Sequence, residues 1–522
     1  MTQRLKSYLQ DRWVDGSGDG TPIHDPTTEE VIAEATTKGL DFGGALAHAR
    51  AVGLPALTAL TFAERGERLD QFAKALHAHR DELLALSTRS GGNTRSDAKF
   101  DVDGATGTLA HYAALGRELG AKKFLLDGDM QTLLRSPRYV GQHFLVTRRG
   151  VAVHVNAYNF PAWGFCEKLA VSFLAGMPAV VKPATSTAPL TVRMLEVLIA
   201  SGHVPAGTIS LVAGSAGDLV DHLGPQDVLA FTGSAHTAWT LRQKRSIIEN
   251  SVRFNVEADS LNAAVLGPDV ATSSDAFDLF VREVVKDMTQ KAGQKCTAIR
   301  RILAPRDRVQ DVCEQLSEAL AAIRVGHPAT ADVKMGPVAT ASQLSDVRKG
   351  IDTLRAATRF AYGDGSRGTL TGVADEKGYF VSPTLLVADD ARAARAVHEV
   401  EVFGPVATVL PYDATPEDAS AIIALGRGSL VSSIYSDDRA FVEGMVMGLA
   451  PYHGRLTIGS GRAAEFSPGP GTVLPSMVHG GPGRAGGGEE LGGLRGLHFY
   501  MQRTAVQGFR PLLEKIAGVT PG

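Results

Sequence analysis

The chain has 522 residues, 44% of them hydrophobic and 21% charged, with a formal net charge of −3. That length exceeds a single compact core and predicts two or more domains. The composition excludes a disordered chain, and the interspersed charge excludes a nucleic-acid footprint or a polybasic membrane surface.

Met1–Trp13 is polar and charged and lacks the apolar run of a secretion signal. The longest apolar stretch, Leu169–Val181, is broken by Ser172, Gly176 and Pro178 and is too short to cross a bilayer. Cys166, Cys296 and Cys313 form no disulfide framework and no metal-ligand spacing. A cytoplasmic, thiol-reduced protein is expected, with no membrane and no metal.

Taken along the chain, Thr61–Ser87 reads as helical, with Thr61 and Glu64 at capping-box spacing. Tyr139–Arg148 is a β segment that fits no evident core. From Val151 to Glu257 strands and helices alternate. The strands are Val151–Val155, Ala179–Lys182, Thr208–Val212, Val228–Thr232 and Val252–Val256. The helices are Pro161–Ala175, Leu190–Ser201, Asp218–Leu223 and His236–Glu249. Short loops between them specify a doubly wound parallel sheet covered on both faces, with ligands at the carboxyl ends of its strands.

A helix over Asp278–Ala292 delivers Cys296 on the following loop. A second α/β domain runs from Arg300 to about Ile458. Gly459–Gly493 is crowded with Gly and Pro and reads as a flexible linker or a loop over the substrate. Phe499–Val506 is a second orphan β segment, and the two orphans are expected to pair across subunits.

Cys296 lies in Ala292-Gly293-Gln294-Lys295-Cys296-Thr297. Glycine-rich backbone and a neighbouring lysine suit an unshielded, readily ionised sulfur nucleophile, against the ordinary alternative of a buried, inert thiol. Glu257 ends the last strand of the parallel sheet, where a carboxylate faces the crevice and can deprotonate a water or a thiol; a solvated strand-end acid is the alternative. Asn159, between a strand and a helix, can aim its amide at an oxyanion together with the Cys296 N–H, or it can be a helix N-cap.

Lys182 ends a strand within reach of a ribose or phosphate. The turn Phe231-Thr232-Gly233-Ser234 combines close backbone approach at Gly233 with a hydroxyl at a helix N-terminus, which suits a pyrophosphate. The GxGxxG fingerprint is absent there. Glu167 interrupts an apolar helix two turns after Asn159, and Glu490 lies in the glycine-rich stretch; a salt-bridged acid is the ordinary reading of both.

Asn159-Phe160-Pro161, Lys182-Pro183, Phe231-Thr232-Gly233-Ser234, Glu257, Gly293-Gln294-Lys295-Cys296 and Glu401-Val402-Phe403-Gly404-Pro405 together resemble the aldehyde dehydrogenase superfamily, in the family's order and over almost the whole chain. The resemblance implies a cofactor-binding domain over 1–132 and 150–259, a catalytic domain over 260–480, and a small β oligomerisation element over 133–149 and 499–522. A homodimer or homotetramer is implied with it.

The resemblance also implies a mechanism. Cys296 attacks the aldehyde, Asn159 and the Cys296 N–H hold the oxyanion, hydride passes to nicotinamide, and Glu257 activates water against the thioester. Glu490 would relay protons behind Glu257, with Glu167 beside the substrate. Glu401 and Phe403 would meet the nicotinamide ribose, Lys182 the adenosine ribose, Gly233 and Ser234 the pyrophosphate, with Phe160 and Pro161 also on the cofactor side.

Relatives that prefer NAD often carry a glutamate three residues after the lysine. Here Thr185 stands there, followed by Ser186, and two hydroxyls welcome the 2′-phosphate of NADP while leaving NAD possible. Glu167 and His479 stand where oxidisers of simple aldehydes place aromatics.

A narrower likeness, through Val151–Ala157, Ser251–Asn262, Gly293–Arg301 and Tyr500–Gly508, is to the branch that oxidises the aldehyde end of a CoA thioester in phenylacetate and benzoyl-CoA breakdown. The implied substrate is 3,4-dehydroadipyl-CoA semialdehyde. A general medium-chain or succinic semialdehyde dehydrogenase and a CoA-acylating enzyme are the alternatives, and Glu257 argues against the last.

Overall fold

The computed structural model describes residues 3–373 and 376–518. The ends of two expected domains, residues 1–2 and 519–522, lie outside them. Two seven-stranded sheets form the body of the chain.

In the first sheet five parallel strands stand in the order Arg253–Glu257, Val228–Thr232, Ala152–Val155, Ala179–Lys182 and Ile209–Leu211. The strand order reverses between Ala152–Val155 and Val228–Thr232, so their carboxyl ends frame a switch-point crevice. Ser7–Leu9 and Arg12–Val14 extend the sheet antiparallel, an addition the sequence did not signal.

The helix Trp163–Ala175 is buried on every side except at Glu167, as expected of an apolar segment beneath a sheet. It starts two residues later than Pro161 suggested. Asp101, from the helix Arg95–Leu119, accepts hydrogen bonds from the N–H groups of Trp163 (2.8 Å) and Ala162 (3.3 Å). That remote carboxylate caps the helix and leaves the Asn159 side chain free of the task. The capping box at Thr61 and Glu64 is formed, and the helix it opens, Phe62–Ala78, is followed by a second, Arg80–Gly91. The helix expected over His236–Glu249 is two, Ala235–Arg242 and Arg245–Glu249.

The second sheet runs Arg359–Tyr362, Thr384–Val387, Val406–Tyr412, Ile299–Pro305, Asn262–Leu266, Ser429–Tyr435 and His453–Gly459, parallel except for its first strand. The helix before Cys296 spans Asp275–Thr289. The chain then turns through Gln290–Gly293, where Lys291 and Ala292 hold left-handed backbone at φ 55° and 52°.

The two orphan β segments pair with each other within one chain. Met501–Phe509 runs antiparallel to Tyr139–Thr147, which pairs in turn with Leu125–Thr132. Leu125–Thr132 is thereby the third strand of this small sheet, with Tyr139–Thr147 between it and Met501–Phe509. Gly459–Gly493 is more ordered than its composition implied: Val478–Gly480 pairs antiparallel with Glu489–Leu491. Among the described residues no single helix is long and apolar enough to cross a membrane.

Candidate active site

Cys296, Glu257, Asn159, Glu167, Lys168 and His479 line one cavity of about 40 Å³, together with Phe100, Phe160 and Trp163. A space of that size holds only a few atoms, so it suits the reacting end of a slender molecule. It lies where the switch-point crevice of the first sheet meets the loop that leads into the second.

The Cys296 loop is pinned from several sides. Arg300 donates to the carbonyls of Gly404 (2.7 Å), Gly293 (2.8 Å) and Lys295 (3.2 Å), tying the loop to the turn at Glu401–Pro405. Asn262 donates to the carbonyls of Cys296 and Ala298, both at 2.8 Å. Gly293 has φ +69°, and a Cβ there would fall 2.1 Å from the Gly404 carbonyl oxygen, so only glycine permits this approach. Thr297 donates to the Gly471 carbonyl (3.1 Å), which holds the glycine-rich segment against the same loop.

Lys295 does not face the thiol. Its Nζ is buried 2.5 Å from Asp287 Oδ1 and 3.0 Å from Gln290 Oε1. The expectation of a thiol ionised by a neighbouring cation is therefore corrected. Burial and the Glu257 carboxylate push the Cys296 thiol well above its ordinary value. The group placed to take its proton is the Glu257 carboxylate, to which the thiol hydrogen-bonds; His479 Nε2 lies 3.1 Å from Glu257 Oε1 and 3.8 Å from Sγ and holds that carboxylate beside the sulfur.

Burial alone would raise Glu257, but the charges of His479 and Lys168, with hydrogen bonds from His479 and Cys296, hold it well below the usual carboxylate range. Burial opposes a charged His479; the carboxylate overrides it and raises the imidazole.

Behind Glu257, the buried Lys168 ammonium stands 2.8 Å from Thr232 Oγ1, 3.2 Å from Glu167 Oε1 and 3.1 Å from Glu490 Oε2. Burial raises Glu490 despite Lys168, so this carboxyl changes its protonation more readily than Glu257. The structure thus brings Cys296, Glu257, Asn159, Glu167 and Glu490 together. Asn159 Nδ2 gives one proton to the Gln294 carbonyl (3.0 Å), which leaves its second amide proton for an oxyanion in the cavity.

The residues expected on the cofactor side divide. Lys182 is partly buried at its strand end, burial lowers its ammonium, and it has no hydrogen-bond or ion-pair partner among the described residues. Such a cation calls for an anionic or hydroxylic ligand. Thr185 and Ser186 stand in the turn Thr185–Thr187 directly after it. Gly233 and Ser234 lead into the helix Ala235–Arg242, whose N-terminus already receives the Ser234 hydroxyl at Thr237 N and the Asp259 carboxylate at Ala235 N. Burial pushes the Glu401 carboxyl up to about 8 against the pull of Arg300. The Phe403 ring meets Tyr158 edge-on and lies beside the Arg300 guanidinium.

Phe160 packs edge-on against Phe100 and Trp163 under the Lys291 ammonium, on the wall of the Cys296 cavity. The Pro161 carbonyl accepts from Thr191 Oγ1 (2.9 Å), a structural tie at the start of the helix.

Arg300, Asn262 and Lys168 were not anticipated. Two consecutive arginines inside the apolar strand Ile299–Pro305 were the readable signal, since buried arginines demand partners. His479 was anticipated near the cavity mouth but not in contact with both Glu257 and Cys296.

The family model described as "Aldehyde dehydrogenase family" matches residues 13–506. The chain is 44% identical over 479 residues to 3,4-dehydroadipyl-CoA semialdehyde dehydrogenase of Aromatoleum evansii, covering 92% of this chain and 93% of that one. It is 26% identical over 450 residues to glutarate-semialdehyde dehydrogenase of Pseudomonas putida, covering 84% and 86%. A crystal structure of betaine aldehyde dehydrogenase from Staphylococcus aureus with NAD+ superposes with a TM-score of 0.84 at 23% identity, over 97% of this chain and 95% of the other, and shares its fold.

Proposed function

Since the chain belongs to the aldehyde dehydrogenase family, we propose that it oxidises the aldehyde end of a CoA-linked semialdehyde, of the 3,4-dehydroadipyl-CoA semialdehyde kind, to the carboxylic acid with NADP. The observation that carries the chemistry is the contact of Cys296, His479 and Glu257 in one small cavity beside the free amide proton of Asn159.

The thiol gives its proton to the Glu257–His479 pair, and Sγ bonds to the carbonyl carbon. The oxyanion takes hydrogen bonds from Asn159 Nδ2 and the Cys296 N–H. A dinucleotide, when bound, would supply the acceptor for the hydride that leaves the Cys296 adduct as it becomes a thioester. Glu257 passes the thiol proton to Glu167 or Glu490, whose carboxylate oxygens lie within 4.8 Å of its own, and then draws a second from water, whose oxygen bonds to the thioester carbon as Sγ leaves; Lys168, held charged by these carboxylates, orients them. Lys182, Thr185, Ser186, Gly233, Ser234, Glu401 and Phe403 would hold the dinucleotide. Two hydroxyls and no carboxylate after Lys182 support NADP over NAD.

The CoA end lies outside the small cavity. A groove of about 1080 Å³ lined by Arg95, Arg282, Lys286 and Lys334 suits its phosphates. Lys286 donates to the Pro468 carbonyl, so the glycine-rich segment borders both the groove and Cys296. A dimer or tetramer is supported by the exposed Val146, Phe509, Leu512 and Ile516 on and beside the small sheet. The cytoplasm is the compartment where CoA, the dinucleotide and a reduced Cys296 coexist.

The test is absorbance of reduced cofactor with semialdehydes offered free and as CoA thioesters, with NADP and with NAD. The expected result is higher kcat/KM for the CoA thioester with NADP. Equal rates on free medium-chain aldehydes would replace the CoA reading with a general semialdehyde dehydrogenase, and an acyl-CoA product dependent on added CoA would indicate acylating chemistry.

A further inference from the structure

We propose that Cys296 Sγ, His479 Nε2 and a Glu257 carboxylate oxygen form a binding site for a thiophilic divalent cation, Zn²⁺ above all, whose occupancy shuts the enzyme off reversibly. The three atoms lie within 4.8 Å of one another, with Sγ to Nε2 at 3.8 Å and Nε2 to Oε1 at 3.1 Å. Tetrahedral zinc with a Zn–S bond of about 2.3 Å and Zn–N and Zn–O bonds of about 2.0–2.2 Å separates its S and N ligands by about 3.6 Å and its N and O ligands by about 3.4 Å. The two nitrogen edges, at 3.8 and 3.1 Å, lie within about 0.3 Å of those values, and the Sγ-to-carboxylate edge is no longer than 4.8 Å.

A thiolate, a carboxylate and an imidazole are a ligand set zinc prefers, and the first two balance the charge of a dication. Nε2 binds the metal when His479 carries its remaining proton on Nδ1. The three ligand residues line the same cavity as Asn159 and Glu167, from which a water or the substrate oxygen would complete the shell.

The neighbouring cluster Glu167, Glu257 and Glu490 is no rival site, because the Lys168 ammonium already lies against two of its carboxylates. His479 is what distinguishes the site: without it a lone thiol and one carboxylate remain, a poor zinc site. Binding displaces protons from Cys296 and His479 and forms bonds from Zn²⁺ to Sγ, Nε2 and the carboxylate oxygen, with no change of oxidation state. The site itself is independent of which aldehyde is oxidised; only the loss of turnover rests on the roles given above to Cys296 and Glu257.

The full-length protein, stripped of metal with a chelator, is titrated with Co²⁺ and Zn²⁺. One equivalent of Co²⁺ should give the thiolate-to-cobalt charge-transfer band of a tetrahedral site, displaced by Zn²⁺. Stoichiometric Zn²⁺ should protect Cys296 from iodoacetamide, read by peptide mass spectrometry. His479→Ala and His479→Gln should weaken Zn²⁺ binding on the order of 100-fold. Cobalt binding without that band, alkylation of the unsubstituted protein at an unchanged rate in Zn²⁺, or undiminished affinity in folded His479 variants would each overturn the proposal. Inhibition by Zn²⁺ that needs Cys296 but not His479 would overturn it as well. Because these signals are read without substrate, they stand whichever aldehyde proves to be oxidised.

Discussion

His479 and Glu490 are register partners across the antiparallel pair of Val478–Gly480 with Glu489–Leu491, so their side chains leave the same face. One reaches Glu257 and the other Lys168. A ribbon with one residue either side of this pairing point thereby grips the proposed base and the ammonium behind it at once.

Replacing Cys296 by Ala should lower production of reduced cofactor on the order of 10³-fold or more while cofactor binding, followed by fluorescence quenching, is retained. Glu257→Gln should instead release a burst of reduced cofactor and then stall, with steady-state turnover down about 10²–10⁴-fold. Steady turnover at the parent rate in stopped-flow traces would remove Glu257 from the hydrolytic step.

The Glu257–His479 pair makes stability depend on pH in a defined window. His479 is raised, so its contribution is complete below the unfolded value of 6.5 and is lost as pH climbs through the folded value. Glu257 is depressed, so its contribution is present above the unfolded value of 4.5 and is lost as pH falls. The Tm difference between parent and His479→Ala should therefore be largest between the unfolded values of 4.5 and 6.5 and shrink on either side. Calorimetry that finds a difference independent of pH would show that the pair is not ionic.

Thr185→Glu places a carboxylate in the turn after Lys182. The NADP:NAD ratio of kcat/KM should fall by at least about tenfold, equivalent to about 1.4 kcal/mol. An unchanged ratio means that the 2′-phosphate is read elsewhere.

Gly293→Ala forces an alanine into left-handed backbone, costing about 1–2 kcal/mol, and drives its Cβ toward the Gly404 carbonyl. The Cys296 loop and the Glu401–Pro405 turn should separate, with kcat reduced more than tenfold and far-UV circular dichroism preserved. Parent-like kcat would show that their tight apposition is dispensable.

The parallel sheet was legible because short apolar runs alternate with helical periods between Val151 and Glu257, and Glu257 falls at a strand end in both sequence and structure. What stayed hidden depends on long-range partners. Whether Lys295 faces Cys296 or Asp287 is decided by the left-handed turn at Lys291 and Ala292, which no local propensity favours. Asp101 as the remote cap of Trp163–Ala175 and His479 as the neighbour of Glu257 are set by packing of segments far apart in the chain. The pairing of Tyr139–Thr147 with Met501–Phe509 joins strands separated by most of the polypeptide, and a β pattern carries no address for its partner.

The site is assembled from segments far apart in the chain, which sets an order for its completion. Cys296 leaves the ribosome well before His479 and Glu490, and until their hairpin docks the thiol lacks that part of its wall and Glu257 lacks its histidine partner. The full constellation around Cys296 therefore exists only after residues 478–491 have been made and packed.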